Sequence, residues 1–386
     1  MEFDVVIVGA GLVGASLARA LRGSGLAIAL VEPSIPARPE KSWDTRVYAL
    51  SPSSKSFLES LGAWTELDAG RVTPVYSMHV CGDDGRSQLD FSAYEAGVDA
   101  LSWIVESGRL QQALLHRIQG QENVELFCPA RPVELSVRED RALLRLEGDQ
   151  TISGKLLVGA DGADSWVRMS ADMPAHGRSY GQQGVVANFA CERPHRNIAY
   201  QWFRSDGVLA YLPLPGKLIS MVWSAPDELA SELLSLPAAD LSSRAAQAGR
   251  HVLGDLSPAT PGAAFPLNAI SVKKMVAPRV ALIGDAAHVI HPLAGQGVNL
   301  GFGDARELAL VLMQRSPESD AGDYSLLRRF ERARAEDILA MRLVTDGLAR
   351  LFGSGIPGIA GLRNYGLNVT NFLPVIRTWL VRRATG

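Results

Sequence analysis

The first thirty residues alternate between apolar runs and one amphipathic segment. Residues 3–8 (FDVVIV) and 26–31 (LAIALV) are short apolar runs, typical of parallel strands that are buried on both faces. Between them, residues 12–22 bring apolar side chains to one side of a helix. The pattern therefore predicts a βαβ unit at the start of the chain.

Further along, the pattern changes character twice. From about residue 183 to 224, apolar segments are separated by turns such as RSDG and LPGK, which predicts successive strands. A polar helical segment is predicted over 226–249. Buried strands are predicted on both sides of this region, at 155–161 and from 279, and helices at about 297–314 and through 320–386.

These patterns predict an α/β fold whose domains are discontinuous. A Rossmann-like domain is assembled from the beginning, the middle and a late part of the chain, and a β-rich domain is inserted between its pieces. The predicted ranges are 1–72, 100–175 and 276–315 for the first domain, 73–99 and 176–275 for the second, and 316–386 for a C-terminal helical region.

Composition narrows the classes of partner. The 386 residues are 47% hydrophobic and carry a net charge of −3 with both signs dispersed, which argues against nucleic acid as a main partner. No apolar run approaches the roughly 20 residues that a membrane-spanning helix needs. No secretory signal precedes the first strand, so we expect a cytoplasmic protein that contacts a membrane at most peripherally, at its inner face.

A glycine-rich turn joins the first strand to the first helix. Gly9, Gly11 and Gly14 form a GxGxxG fingerprint, which permits a tight turn, close approach of a pyrophosphate and helix–strand packing. Glu32 closes the second strand 18 residues after Gly14, where a carboxylate accepts hydrogen bonds from ribose hydroxyls. The fingerprint alone also fits a structural turn. With both strands, the helix and the acid in place, it predicts an ADP-binding site and leaves FAD and NAD open.

Two further aspartates follow predicted buried strands. Asp161-Gly162 ends the run KLLVGADG, and Gly284-Asp285 follows VALI. Alone, each also fits an aspartate that caps the next helix. In this order after the GxGxxG unit, they resemble the DG and GD motifs of the class A FAD-dependent aromatic hydroxylase family. The resemblance implies a FAD-binding domain of the p-hydroxybenzoate hydroxylase type, interleaved with a β-sheet substrate domain.

The resemblance also implies roles for individual residues. Asp285 would bind the ribityl chain of FAD, and Asp161-Gly162 would serve the cofactor and its encounter with a pyridine nucleotide. Arg46 would lie near the flavin, although a surface salt bridge is an open alternative. Relatives often carry an arginine near residue 107, whereas here Glu106, Ser107 and Gly108 precede Arg109. Arg109 is carried over as a candidate for a cofactor contact, at a position that departs from the family's pattern.

Longer segments resemble one branch of that family, the hydroxylases of ubiquinone biosynthesis. The resemblance implies FAD-dependent hydroxylation of the ring of a polyprenylated phenol or quinol, with O₂ activated as a flavin C4a-hydroperoxide. It leaves open whether NADH, NADPH or a protein supplies the electrons. The segments that carry it are 44–64 (DTRVYALSPSSKSFLESLGAW), 207–224 (GVLAYLPLPG to ISMVWS), 282–309 (LIGDAAHVIHPLAGQGVNLGFGDARELA) and 328–352 (RRFERARAEDILAMRLVTDGLARLF).

The segment after Asp285 supplies the candidate catalytic residues. The start of the predicted 297–314 helix would point its positive end at the flavin edge where negative charge develops. The candidates beside the ring are His291, Pro292, Gly295 and Gln296, and those that contact the cofactor at the helix start are Gly297, Val298 and Asn299.

The HxxH spacing of His288 and His291 raises the question of a metal. We predict no metal site, because a third ligand is missing and the pair does not lie on a helix. His291 either shapes the loop beside the flavin or relays a proton, and both readings stay open.

The last stretch, 361–386, combines four arginines with apolar residues and no acid. A helix of this kind lies on a membrane surface or docks on protein, such as a complex of ubiquinone biosynthesis, and homo-oligomer formation is equally open.

Two rival functions also stay open at this point. One is a class A hydroxylase of a small soluble phenol, and the other is a flavin-binding scaffold subunit without turnover.

Overall fold

The structure of the chain is a computed structural model. It describes residues 1–84, 86–291, 297–316 and 318–353.

The first half of the chain is a run of strands broken by short helices. The elements are β1 (Glu2–Val8), α1 (Leu12–Ala20), β2 (Ile28–Val31), β3 (Val47–Leu50), α2 (Pro52–Ser60), β4 (Thr73–Val75), β5 (Ser77–Cys81), β6 (Gln88–Ser92), α3 (Ala93–Ala96), β7 (Ser102–Glu106), α4 (Ser107–Ile118), β8 (Val124–Phe127), β9 (Pro132–Val137), β10 (Ala142–Leu146), β11 (Thr151–Gly159) and α5 (Trp166–Ser170).

The second half contains the long strands and the long C-terminal helices. The elements are β12 (Ala175–Cys191), β13 (Ile198–Arg204), β14 (Gly207–Leu214), β15 (Leu218–Pro226), α6 (Asp227–Ser235), α7 (Ala238–Ala248), β16 (Leu256–Pro258), β17 (Ala263–Val272), β18 (Val276–Ala277), β19 (Val280–Leu282), β20 (His288–Val289), α8 (Gly297–Met313) and α9 (Tyr324–Gly353).

The predicted βαβ unit forms the centre of an eight-stranded sheet. Six of its strands have the order β18-β19-β11-β1-β2-β8, β10 also pairs with β11, and β9 pairs with β10. β1 runs parallel to β2 and β11, with Val5 opposite Ile28 and Leu156. β19 runs parallel to β11 and β8 runs parallel to β2, so the carboxyl ends of β19, β11, β1, β2 and β8 share one edge, while the short edge strand β18 is antiparallel to β19. Val5, Val6, Ile7 and Val8 are each at most 1% exposed, as expected for a strand covered on both faces.

A second sheet of nine strands has the order β20-β17-β12-β15-β14-β13-β5-β6, and β16 pairs with β12. Its pairs are antiparallel except for β13 with β5. The core on one face is filled by Trp223, Tyr211 and Phe189 together with apolar side chains of α6 and α7. The two helices replace the single predicted helix over 226–249, because Pro237 cannot donate a backbone hydrogen bond and disfavours helical geometry in the residue before it.

β3, β7 and β4 form a small third sheet between the two large ones. The predicted α/β fold class is confirmed, while the exact domain boundaries stay a prediction. α9 packs its apolar residues Leu327 and Phe330 into the core of the eight-stranded sheet. Within the described ranges, no helix is both long enough and apolar enough to cross a bilayer.

Candidate cofactor and active site

The glycine-rich turn leaves open space at one of its three glycines. Gly9 has a φ of +103°, and a Cβ there would lie 2.4 Å from the carbonyl oxygen of Ala160. A Cβ at Gly14 would lie 2.0 Å from the carbonyl oxygen of Gly9. These two glycines are therefore required by packing within the protein. A Cβ at Gly11, in contrast, would meet no described atom within 4 Å, so the turn has room for a ligand there.

The start of α1 suits a phosphate group. Gly11 is its N-cap, no described side chain caps the helix, and its first turn carries no acid, which leaves positive backbone N–H groups facing the open space. Glu32, at the end of β2, accepts a hydrogen bond from the Ala10 N–H at 2.8 Å. Its other carboxylate oxygen accepts one from the Ser34 N–H at 3.2 Å. The carboxylate is thus held beside the glycine turn.

Gly284-Asp285 lies at the same edge of the sheet, and only Ile283 separates it from the end of β19. Gly284 has a φ of +60°, which glycine adopts without strain. The Asp285 side chain is exposed to solvent, yet the surrounding protein raises the pKa of its carboxyl group. Burial is the largest cause, Asp304 adds to it, and His288 and Arg46 oppose it. The Asp285 carboxylate is therefore open to solvent at a position that is otherwise surrounded by protein.

Arg46, Tyr48 and Ser107 lie near this carboxylate. The Arg46 guanidinium is 5.4 Å from the centre of the Tyr48 ring. Burial raises the pKa of Tyr48, the charges of Asp285 and Asp44 raise it further, and Arg46 and a hydrogen bond with Ser107 lower it. Sequence reasoning missed Tyr48, because an aromatic residue in a strand most often belongs to the core.

The candidate Arg109 lies in a cluster that anchors the loop before Arg46. Its Nε donates to the Glu106 carboxylate at 3.0 Å, and its Nη2 donates to the Glu40 carbonyl at 2.9 Å. Glu106 is only 2% exposed and also binds Arg71, with 2.7 Å between Nη2 and Oε1. A cofactor contact for Arg109 stays a prediction, and in the structure its guanidinium stabilises the loop.

The DG and GD turns are tied together by an arginine that sequence reasoning did not assign. Asp161 accepts hydrogen bonds from the Ser165 hydroxyl at 2.5 Å and the Val167 N–H at 2.9 Å, so it supports the first turn of α5, whose N-cap is Ser165. Gly162 has a φ of +84° and open space at its Cβ position. The nearly buried Arg168 donates to the carbonyl of Ala286 at 2.9 Å and to that of Ala163 at 2.7 Å. A cofactor role for Asp161-Gly162 stays a prediction.

The start of α8 is held against β3. Asn299 donates to the Ala49 carbonyl at 2.9 Å and accepts from the Ser51 N–H at 3.0 Å. Val298 packs against the main core, whereas a Cβ at Gly297 would meet no described atom within 4 Å. Gly301 has a different purpose, since a Cβ there would lie 2.6 Å from the Val13 side chain of α1.

Of the candidate catalytic residues, His291 is described, and Pro292, Gly295 and Gln296 lie outside the described residues. His291 is 2% exposed, its Nε2 lies 3.2 Å from Oε1 of Gln182, and its ring meets the Tyr180 ring edge to face at 4.6 Å. His288 instead bonds to Asp304. Across the described positions, no group of three potential ligands is arranged to hold a metal ion.

The aromatic residues of the nine-stranded sheet lie mostly in its core. Trp223 and Tyr211 are at most 1% exposed, and the Tyr211 hydroxyl donates to the Ala245 carbonyl at 2.5 Å. Between the sheets, Asn188 donates to the Asp44 carbonyl at 2.9 Å. This bond joins the long strand β12 to the loop that precedes Arg46.

Together these features fit FAD. Several features meet at one edge of the parallel sheet. They are the open space at Gly11 and Gly297, the start of α1, which no described side chain caps, and the carboxylates of Glu32 and Asp285. This is the edge at which nucleotides bind in open α/β sheets.

Comparison with known proteins agrees with this geometry. The family described as "FAD binding domain" matches residues 2–341. The chain is 33% identical to the 3-demethoxyubiquinol 3-hydroxylase of Escherichia coli K12, over 99% of this chain and 98% of that protein. It is 35% identical to the ubiquinone hydroxylase UbiL of Rhodospirillum rubrum, over 99% and 89%. It is 31% identical to the ubiquinone biosynthesis monooxygenase COQ6 of Danio rerio, over 99% and 90%.

Solved structures with lower identity share the fold. Pseudomonas aeruginosa PqsL in complex with 2-aminobenzoylacetate superposes with a TM-score of 0.78 at 24% identity, covering 95% of this chain and 99% of that one. The p-nitrophenol 4-monooxygenase PnpA of Pseudomonas putida gives 0.80 at 17% identity, covering 100% and 99%. The chain therefore belongs to the FAD-binding family of flavoprotein monooxygenases that includes these ubiquinone hydroxylases.

Proposed function

We propose that this protein hydroxylates the aromatic ring of a polyprenylated phenol or quinol intermediate of ubiquinone biosynthesis, using FAD, O₂ and a reductant. The observation that carries the flavin chemistry is the meeting of Gly11, Glu32 and Asp285 around open space at one sheet edge. The substrate class rests on relatives from two bacteria and an animal that are 31–35% identical over nearly the whole chain and are named for ubiquinone steps.

Each cofactor-binding residue has a role that its position supports. The N–H groups at the start of α1 bind the pyrophosphate, and Glu32 accepts hydrogen bonds from the adenosine ribose. Asp285 accepts hydrogen bonds from the ribityl chain. Arg46 and the start of α8 at Gly297 place positive potential beside the flavin ring, where the reduced cofactor is anionic. Bound FAD supplies the activation of O₂, with electrons from NAD(P)H or another donor.

His291 and the segment after it would shape the ring side of the site. Gln182 and Tyr180 fix the orientation of the His291 ring, so it is a wall of the site or a proton carrier of defined geometry. The roles of Pro292, Gly295 and Gln296 beside the flavin ring are proposed on the basis of the sequence alone.

The substrate ring would enter between the nine-stranded sheet and the cofactor edge. Leu212 of β14 and Val47 and Ala49 of β3 are half-buried there against a packed apolar cluster, which gives this junction an apolar surface suited to a prenyl tail. Contact with a membrane surface, with a biosynthetic complex or with a second copy of the chain is assigned to the C-terminal region and lies mostly outside the described residues.

Turnover of the purified holoenzyme under ¹⁸O₂ tests the proposal. A short-chain polyprenyl phenol should stimulate oxidation of NADH or NADPH and yield a product with one added ¹⁸O. A small carboxylated phenol serves as the matched control and should stimulate oxidation far less. Preference for the small phenol would favour a soluble-phenol hydroxylase, and no oxygen transfer to any phenol, with either nucleotide or a chemical reductant, would favour a scaffold.

A further inference from the structure

A buried aspartate lies on the apolar side of α8. Asp304 follows Leu300 and precedes Leu308 by four residues each, so helical periodicity places it in the core, and it is 0% exposed. Burial alone would raise its pKa, but His288 and Arg334 hold the pKa of this carboxyl group below its ordinary value. Asp304 is therefore a charged group in the protein interior.

The charge is matched by a cation from another helix. Nε of Arg334, on α9, donates to Oδ1 of Asp304 at 2.8 Å, and Nη2 donates to the Leu300 carbonyl at 3.2 Å. Gly303 makes room for this guanidinium, because a Cβ there would lie 2.7 Å from Nη2. A buried ion pair contributes little net stability compared with well-packed apolar side chains, so stability alone does not explain this one.

The other carboxylate oxygen of Asp304 holds both ends of the turn that carries Asp285. Oδ2 accepts a hydrogen bond from the Gly284 N–H at 2.9 Å and lies 2.6 Å from Nε2 of His288. Gly284 immediately precedes Asp285, and His288 follows it by three residues. One buried oxygen atom thus fixes the path of the backbone on both sides of Asp285.

We propose that Asp304 is a positioning residue for FAD binding. It holds the 284–288 turn so that the Asp285 carboxylate faces the cofactor, and Arg334 holds Asp304, which makes α9 part of the cofactor site. This inference rests on the role proposed for Asp285. It predicts that Asp304 affects FAD binding only through Asp285.

A double-mutant cycle tests this dependence. FAD is titrated into the apoproteins of the wild type, Asp304→Asn, Asp285→Asn and the double variant, and Kd is measured from quenching of flavin fluorescence. Each single change should weaken binding about tenfold or more, as for a lost hydrogen bond to a charged group. The double variant should bind within about twofold of Asp285→Asn, because residues that act through one another are not additive.

The alternatives give different results. A merely structural Asp304 would lower the thermal stability of the apoprotein while the losses in FAD affinity multiply, and that outcome would overturn the proposal. If Asp285→Asn weakens binding but Asp304→Asn does not, the positioning role fails alone. If Asp285→Asn binds FAD like the wild type, the role proposed for Asp285 fails.

Two further variants keep the test valid if Asp304→Asn does not fold. His288→Gln keeps an N–H donor toward Asp304 and should bind FAD close to normally, whereas His288→Leu should bind weakly. Asp206→Asn is the matched control, because it breaks another arginine–carboxylate pair, with Arg204 at 2.7 Å, in the nine-stranded sheet. It should leave Kd for FAD unchanged, and an equal loss in this control would contradict a specific role for Asp304.

Discussion

The carboxyl edge of the eight-stranded sheet and the core of the nine-stranded sheet are built from opposite kinds of residue. At the edge, Gly9 and Gly14 allow the main chain and α1 to pack closely, Gly11 leaves open space for a ligand, and Glu32 and Asp285 place carboxylates after strand ends. In the core of the other sheet, Trp223, Tyr211 and Phe189 are at most 1% exposed and fill the space below α6 and α7.

This difference explains why the cofactor site can be predicted from the sequence and the substrate surface cannot. Contacts between main chain and phosphate require glycine at fixed offsets along one short segment, so the chain displays them as a motif. A substrate surface is made by side chains of several strands that lie far apart in sequence. Its residues therefore leave no local pattern, and similar aromatic residues serve equally well as core.

The largest effect is expected where a glycine at the edge is required by packing. Gly14→Ala places a Cβ 2.0 Å from the Gly9 carbonyl oxygen, so β1 and α1 must move apart. We expect a loss of about 3 kcal/mol or more in the free energy of unfolding, as for other strained core substitutions, and no retained flavin. Urea denaturation and the visible spectrum of the purified protein measure both. A yellow variant of normal stability would show that the turn is not as described.

A change in the aromatic core should affect stability and spare the cofactor. Trp223→Leu leaves a cavity below α6 and is expected to cost about 2–4 kcal/mol. The indole N–H of Trp223 is buried and finds no acceptor among the described atoms, so Trp223→Phe should cost clearly less. Thermal unfolding and FAD titration of both variants check this. A large loss of FAD affinity in either one would break the proposed separation of the two regions.

Gly11→Ala should show the reverse, with normal stability and weak cofactor binding. Its Cβ enters open space, and its φ of −67° suits alanine, so unfolding should change by less than about 1 kcal/mol. FAD affinity should fall about 10–100-fold, because the methyl group occupies the space of the pyrophosphate. An unchanged affinity for FAD would show that the pyrophosphate does not bind at this turn.

Several elements of the fold were predictable because each depends on a local pattern. The strand at 3–8 is observed as Glu2–Val8, the helix at 12–22 as Leu12–Ala20, and the helix at 297–314 as Gly297–Met313. Asp304 was missed although the sequence carried a signal for it, namely a charged residue on the apolar face of α8. The link that Arg168 makes between the two turns had no such signal, because its partner Ala286 is 118 residues away.

The smallest effect is the pH dependence of stability that arises from His195, in the loop between β12 and β13. Burial lowers the pKa of His195 from its ordinary 6.5, and its Nε2 donates to the Leu214 carbonyl at 2.8 Å. As the pH drops through 6.5, His195 binds a proton in the unfolded chain but stays neutral in the folded chain. The free energy of unfolding therefore has its full value above pH 6.5 and decreases as the pH falls below it. A single proton contributes a slope of at most about 1.4 kcal/mol per pH unit.

His195→Gln keeps a donor and an acceptor but does not titrate. Its stability measured by urea denaturation at pH 5.5 and pH 8, values chosen to lie roughly a unit or more on either side of an ordinary histidine, should differ less than that of the wild type. An identical pH dependence in both proteins would contradict the assignment. FAD affinity should be the same in both proteins at pH 8.

The most direct test of the central claim is a crystal structure of the protein with FAD bound. The pyrophosphate should accept hydrogen bonds from the backbone at the start of α1, Glu32 should contact the adenosine ribose, and Asp285 should lie within the roughly 3.2 Å of a hydrogen bond from a ribityl hydroxyl. FAD found at another edge of the protein, or bound with Asp285 out of reach of every cofactor hydroxyl, would contradict the account.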